Sequence, residues 1–211
     1  MYTPRAFALD DLPEIQQLIQ YTRLAQLVTF GEQGLQASHL PLLLNPDEGP
    51  NGTLYGHMAR ANRQWQDLQN GGEALVIFAG AEAYVSPSFY PAKAEHGKVV
   101  PTWNYIAVHA YGTGEVFTDA ERLLELVSAL TDRHEGKRAQ PWNVSDAPAD
   151  YIDSMLKAIV GFALPIQRLE GKRKLSQNRS PADIAGVRKG LAASTDVRDQ
   201  TLARFIPKEP T

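Results

Sequence analysis

The run His57-Met58-Ala59-Arg60-Ala61-Asn62-Arg63 carries the strongest local signal for chemistry in the chain. Asn62 suits the N-cap of a short amphipathic helix over 63–69, which Asn70-Gly71-Gly72 stops. Two arginines thus flank a helix start, where the dipole disfavours positive charge. Their placement makes sense if an anion such as a phosphate sits between them and the exposed amides. Solvated surface arginines are the ordinary alternative. A second run, Trp103 to Tyr111, puts Trp103, Tyr105, His109 and Tyr111 on one strand face by period-two alternation. Such a face can stack a planar ring, fill a subunit interface or form an amphipathic core face, and the run alone does not choose.

Other chemistries fall away. The chain has no cysteine, which excludes a disulfide framework, thiolate metal sites and a thiol nucleophile, and agrees with a reducing compartment. His39, His57 and His109 are widely separated and no His-Glu-x-x-His motif occurs, so no metal site is expected. Ser86 and Ser176 lack a nucleophile-elbow context, and there is no Gly-x-Gly-x-x-Gly or Walker loop. A formal net charge of -3 gives no global basic field for nucleic acid, so any such contact is local. Its candidate is the basic cluster Lys172, Arg173, Lys174 and Arg179, suited to phosphates of nucleic acid or of a cofactor, although such a run reads first as a solvated face. Asp183 to Lys189 superficially resembles part of a helix-turn-helix, but a polar segment stands where the preceding helix should be, so a terminal packing helix is the better reading.

These residues need elements to hold them. Asp10-Asp11-Leu12-Pro13 opens a helix over roughly 11–22. Residues 26–30 and 36–44 read as a hairpin around Gly31 to Gly34, with Pro41 near an edge or bulge. Thr53 to Arg60 returns as a strand. The apolar run 74–79 predicts a strand buried on both sides, followed by a separate short strand at 82–86. Trp103 to Phe117 is long and β-rich, bending at Gly112 and Gly114. Two helices follow, one with Leu123, Leu124, Leu126, Val127 and Leu130 as its stripe, the other with Ile152, Met155, Leu156 and Ile159. A last strand over 162–169, the polar basic segment 171–179, a helix over 181–194 and a polar tail complete the chain. Strands crowded into the first half without βαβ alternation favour an antiparallel barrel with helices outside, in one domain spanning 1–211. No apolar run reaches the length of a membrane span, so the expected protein is soluble and cytoplasmic.

Several runs together resemble the PaiB-type family of FMN-binding negative transcriptional regulators. They are Met1-Tyr2-x-Pro4-x-x-Phe7, Ser38-His39-Leu40-Pro41-Leu42, Gly56-His57-x-Ala59-Arg60-x-Asn62, Tyr84-Val85-Ser86-Pro87, Val100 to Tyr105 with Val108-His109, and Lys174-Leu175-Ser176-Gln177-Asn178-Arg179. Arg63 stands where Pro is expected, and Phe89 where the family often has Trp. The resemblance implies an α+β fold, the FMN-binding split β-barrel, mainly antiparallel with flanking helices, in a homodimer with flavin sites at the subunit interface. It implies FMN phosphate near Arg60 and Asn62, with His57 in the same motif. Ser38 and His39 would lie near the ribityl chain or phosphate, Trp103 and Asn104 near the ring, and Lys174, Ser176 and Gln177 would complete the site. Three functions stay open: a flavin-binding regulator with possible DNA contact, a flavin-dependent oxidoreductase of the pyridoxamine-phosphate oxidase or flavin-reductase kind, and a barrel acting by protein contacts alone. No catalytic residue is assigned.

Overall fold

A computed structural model describes residues 1–208. The chain opens with the short strand β1 (Ala8–Leu9) and the helix α1 (Leu12–Tyr21), which buries Ile15 and Ile19 one turn apart. Strands β2 (Ala25–Gly31) and β3 (Gly34–Leu40) form a hairpin in which Gly34 takes the left-handed conformation at φ 85°. The second hairpin strand stops before Pro41 rather than running on to Leu44. Proline has no N–H to give a ladder, and beyond it β4 (Leu43–Asn45) pairs with β5 (Thr53–Ala59) in a different sheet. Helix α2 (Gln64–Gln69) starts one residue later than its Asn62 cap suggests. The run 74–79 and the stretch 82–86 are one strand, β6 (Glu73–Val85). A 3-10 turn at Pro87–Phe89 and the short helix α3 (Ala92–His96) lead to β7 (Thr102–Thr113) and, past Gly114, to β8 (Glu115–Phe117).

Helix α4 (Ala120–Glu135) is capped by the Asp119 carboxylate, which accepts from the Arg122 amide at 2.9 Å. Leu123, Leu126 and Leu130 form its buried stripe, whereas Leu124 is exposed. Helix α5 (Ala149–Lys157) ends before Ile159, which belongs to β9 (Ile159–Pro165). The start of the polar, basic segment, 171–174, belongs to a strand, β10 (Arg168–Lys174), and the polar tail holds a helix, α7 (Val197–Ala203), after α6 (Pro181–Ala192). Both were hidden by their charge. In β10 the Arg168 guanidinium lies 3.4 Å from the Tyr111 ring centroid and the Lys172 ammonium 5.0 Å from that of Tyr105, so the cations pack on rings instead of standing in water.

The chain groups into two compact units, one of residues 12–78 and 109–169, the other of 1–11, 79–108 and 170–208. The larger unit contains the four-stranded antiparallel sheet β4-β5-β9-β8. One face of this sheet is covered by α4 and α5 through Phe117, Leu123, Leu126, Leu130, Leu156 and Ala163. The same unit holds β2 between β3 and the first half of β6. Helix α2 packs on the inner face of that ribbon. Asp67 accepts from Thr29 Oγ1 at 2.7 Å and Gln36 Nε2 at 3.2 Å, and the buried Gln64 donates to the Leu27 carbonyl at 3.0 Å.

The outer face of the ribbon has no cover within the unit. Register places Phe30 opposite Leu35, Val28 opposite Ala37 and Leu75, and Gln26 opposite His39 and Ile77. Phe30 is 71% exposed and Leu35 76%. The run 74–79 is therefore not buried on both sides: Ala74, Val76 and Phe78 are buried, Leu75 and Ile77 only half so, because no element of the unit lies over them.

In the smaller unit β1 pairs antiparallel with β10, and the order continues through β7 to the second half of β6. Helices α6 and α7 pack together, and α6 also meets the turn at Pro87–Phe89. The Ser180 hydroxyl caps α6, and the buried Asp183 carboxylate accepts from the Ala92 amide at 3.2 Å. The helix of the superficial DNA-reading motif is thus a packing helix. The architecture is α+β and mainly antiparallel with flanking helices.

Candidate functional site

The residues singled out in the sequence fall into two groups, one in each unit. In the smaller unit, β10 ends in a turn that faces the start of β7. Lys174 donates from Nζ to Thr102 Oγ1 and, at 2.7 Å, to the Trp103 carbonyl. Asn104 is fully buried and donates from Nδ2 to Ser176 Oγ at 2.8 Å. Gln177 ties the turn to itself, accepting from the Leu175 amide at 2.7 Å and donating to the Arg173 carbonyl. Its amide is spent on the local backbone.

Two features mark this turn as more than packing. Ser176 has φ 65°, a left-handed conformation that a side chain disfavours, and is the only non-glycine residue with positive φ among the described residues. Asn104 Oδ1 is buried with no hydrogen-bond partner among the described residues, a cost of about 1–3 kcal/mol. Around them stand three cations. Burial holds the Lys174 ammonium below its ordinary pKa; Tyr105 pulls the other way, and Lys172 and Arg179 each add a smaller push downward. No carboxylate counters them in that set. Lys172 is itself buried, its Nζ donating to the Tyr2 carbonyl at 3.0 Å, and the Arg179 guanidinium lies 5.1 Å from the Tyr90 ring centroid. The basic cluster is therefore not a solvated run.

Trp103 and Asn104 leave β7 on opposite faces. Asn104 points inward with Ile106, Val108 and Ala110, whereas Trp103 is 52% exposed and sits edge-on to Tyr84 with centroids 6.0 Å apart. Lys172 and Arg179 of the basic cluster belong to this constellation, and so do Thr102 and Tyr84, to which the sequence assigns no flavin contact. The period-two pattern of β7 singles out Trp103, but its partner Tyr84 lies on another strand.

In the larger unit, Asn62 donates from Nδ2 to Ser38 Oγ at 2.9 Å and accepts at Oδ1 from the Gln64 amide at 3.1 Å. Ser38 faces inward on β3, so His39, one residue on, lies on the outer face and is exposed. Arg60 does not guard the start of α2. Its Nε donates to the Lys157 carbonyl at 2.9 Å and its Nη2 to the Ile159 carbonyl at 3.2 Å. The first of these ends α5, where the helix dipole favours a cation, so the apparent conflict with α2 has a structural resolution. His57 pairs across strands with Gly161, where an added Cβ would meet Phe117 and Leu123. His57 is thus on the sheet face that α4 covers.

Burial lowers the His57 pKa from its ordinary 6.5. The unfolded chain then binds the proton more readily than the folded one, so this residue's contribution to stability is complete above 6.5 and is lost as pH falls through the depressed folded value. Denaturant midpoints should drop between pH 7 and pH 5, and the drop should shrink in His57→Gln. An equal drop in that variant rules His57 out as the cause.

No group of three or more His, Asp or Glu side chains among the described residues is placed to hold a metal ion. No helix among them is long and apolar enough to cross a membrane.

This antiparallel α+β fold, with a cationic turn beside exposed aromatics, has relatives. Residues 1–168 match the family described as a putative FMN-binding domain, and the chain belongs to that family. The fold is of the split-barrel type. An uncharacterised protein of Emericella nidulans is 35% identical over 226 residues, covering 90% of each chain. The Bacillus subtilis protease synthase and sporulation protein PAI 2 is 33% identical over 206 residues, covering 98% of this chain and 96% of its own. Among solved structures, a conserved hypothetical protein from Mycobacterium tuberculosis superposes with a TM-score of 0.59 at 13% identity, over 85% of this chain and 94% of its own. A flavocytochrome from Azotobacter vinelandii gives 0.57 at 14% identity, over 82% and 72%. At such identities the likeness is one of fold.

Proposed function

We propose that this protein binds FMN in the smaller unit, with the phosphate against Lys174 and its neighbouring cations and the ring against Trp103 and Tyr84. The observation that carries this reading is the turn at 174–176. It combines an ammonium made less stable as a cation by burial and like charge, a strained serine and a buried amide oxygen lacking a partner. An anion placed there relieves the repulsion among Lys172, Lys174 and Arg179, and the half-exposed aromatic pair supplies a flat apolar surface. The residues present therefore fit a phosphate joined to a planar ring system. Bound FMN supplies redox chemistry, and the chain's own groups bind and orient it. Ser38 and Asn62 belong to the ribbon around α2, and Arg60 holds the end of α5.

Freshly purified protein should show flavin absorbance bands, or take up FMN stoichiometrically on titration. Failure to bind added FMN sinks the reading and favours a barrel acting through protein contacts alone.

The name of the Bacillus subtilis relative, together with the sequence resemblance, supports a regulatory role. Within that role we favour control exerted through the flavin over direct DNA reading. Lys172, part of the cluster proposed to meet phosphates of DNA, is buried with its ammonium on the Tyr2 carbonyl, and Lys174 is the cation this reading gives to the FMN phosphate, so cofactor and DNA would compete for it.

A homodimer accounts for the uncovered outer face of the β3-β2-β6 ribbon. Phe30, Leu35, Val28, Leu75 and Ile77 make a contiguous apolar surface on a sheet whose β3 is an edge strand, and a second copy is the occupant that a closed two-fold interface provides. His39 would then lie in that interface. Light scattering should give twice the chain mass at micromolar concentration, and Val28→Asp should shift it towards the monomer. A monomeric mass for the unaltered chain ends this proposal.

A further inference from the structure

Helices α6 and α7 enclose a groove of about 690 Å³ that shares no lining residue with the cluster around Lys174. Helix α6 presents Ala185, Arg188, Lys189 and Ala192, the three- and four-residue spacing of one helix face. Helix α7 and the residues after it bring Gln200, Ala203, Arg204, Ile206 and Lys208. Among the described residues that line it four side chains are cations and none is an acid, in a protein whose net charge is -3.

The acids of the same helix pair are committed elsewhere. Asp183 accepts from Ala92, Asp199 accepts from Ser194 Oγ at 2.7 Å, and Asp196 is paired with Arg198 at 2.6 Å. The helix dipole suits Lys189 in the last turn of α6 and Arg204 at the C-cap of α7, but that explanation reaches neither Arg188 nor Lys208. Arg188 is half-buried, and its Nη1 donates to the Pro207 carbonyl at 3.3 Å, which fixes the guanidinium beside the groove with its other donors uncommitted to that bond.

We propose that this groove binds a polyphosphate chain, free or carried by a nucleoside. Two guanidiniums offer planar forks that match phosphate oxygens two at a time, which a simple carboxylate would use only once. Several cations set along one groove favour a ligand with a charge on each successive group over a single compact anion. Between them Ala185, Ala192, Ala203 and Ile206 line the groove with apolar surface on which a base can rest. The inference is independent of the flavin reading.

The test is calorimetric titration of the full chain at low salt with inorganic triphosphate and, separately, ATP. Saturable one-to-one binding is expected, weakened at least about tenfold by Arg204→Gln and further by Lys189→Gln, while FMN uptake followed by visible absorbance stays unchanged. Both residues are exposed, so the variants should melt as the unaltered protein does. Equal affinity for the two ligands assigns the groove to the bare chain, and tighter ATP binding assigns it to a nucleoside polyphosphate. Absence of triphosphate binding overturns the proposal. So does binding that survives Arg204→Gln but is lost in Lys174→Met, which would move the anion to the other cluster. Displacement of triphosphate by duplex DNA at far lower concentration would replace the small ligand with nucleic acid.

Discussion

Lys174→Met should bind FMN roughly ten- to a hundredfold more weakly than the unaltered protein, with the fold intact. The estimate is that of one charge-assisted hydrogen bond to phosphate, about 1.5–3 kcal/mol. Methionine keeps the length and apolar stem of lysine, so the packing beside Thr102 and Trp103 survives while the ammonium is removed. The variant also ends the burial cost of the ammonium and its repulsion by Lys172 and Arg179, but gives up the bonds to Thr102 Oγ1 and the Trp103 carbonyl and the pull of Tyr105, so stability should stay near that of the unaltered protein. Affinity lost with stability kept is the pattern of a group that serves its ligand more than the fold. A fluorescence-quench titration of FMN against both proteins reads the first quantity, and denaturant melts read the second. Undiminished FMN affinity in the variant takes the phosphate away from Lys174. Arg60→Ala is the informative contrast. Its guanidinium bonds the Lys157 and Ile159 carbonyls, so it should cost stability at the end of α5 while leaving FMN affinity almost untouched.

That contrast shows what the sequence can and cannot carry. The position of Arg60 before a short helix is legible because both lie within a few residues of each other. The carbonyls that receive it come from a segment nearly a hundred residues downstream. The run 74–79 announces a strand by its composition. A run apolar at every position has no period, however, so only the neighbours on β2 reveal that one side faces inward and the other outward. Strand β10 is invisible to hydrophobic patterning because its alternate residues Arg168, Glu170, Lys172 and Lys174 are all charged, and what makes Arg168 and Lys172 acceptable in a sheet is the rings of Tyr111 and Tyr105. The motif Lys174-Leu175-Ser176-Gln177-Asn178-Arg179 draws attention to the turn after β10. It cannot separate Gln177, which binds its own backbone, from Lys174 and Ser176, which reach Thr102, Trp103 and Asn104 on another strand.

Gly186→Ala should destabilise the protein, against the ordinary ranking in which alanine improves a helix interior by about 1 kcal/mol. Gly186 lies in the middle of α6, where a Cβ would fall deep inside the van der Waals radius of the Phe89 carbonyl oxygen and against the Pro91 ring. A carbonyl in a 3-10 turn cannot rotate aside as a side chain does, so α6 must shift from the turn or the turn must distort. Overpacking of this kind costs about 1–3 kcal/mol and sometimes more, which outweighs the propensity gain. The expected net loss is about 2 kcal/mol, a fall of roughly 4–8 °C in Tm for a chain of this size. Gly190, one turn on, provides the control. There the added Cβ would meet only ring atoms of Phe89, so Gly190→Ala should be rescued by Phe89→Leu, whereas Gly186→Ala should not. If both are rescued, the close approach is to the ring alone and the backbone contact has no energetic weight. If neither alanine destabilises, α6 is not held against Pro87–Phe89, and the helix recovers the freedom that a groove-reading element would need.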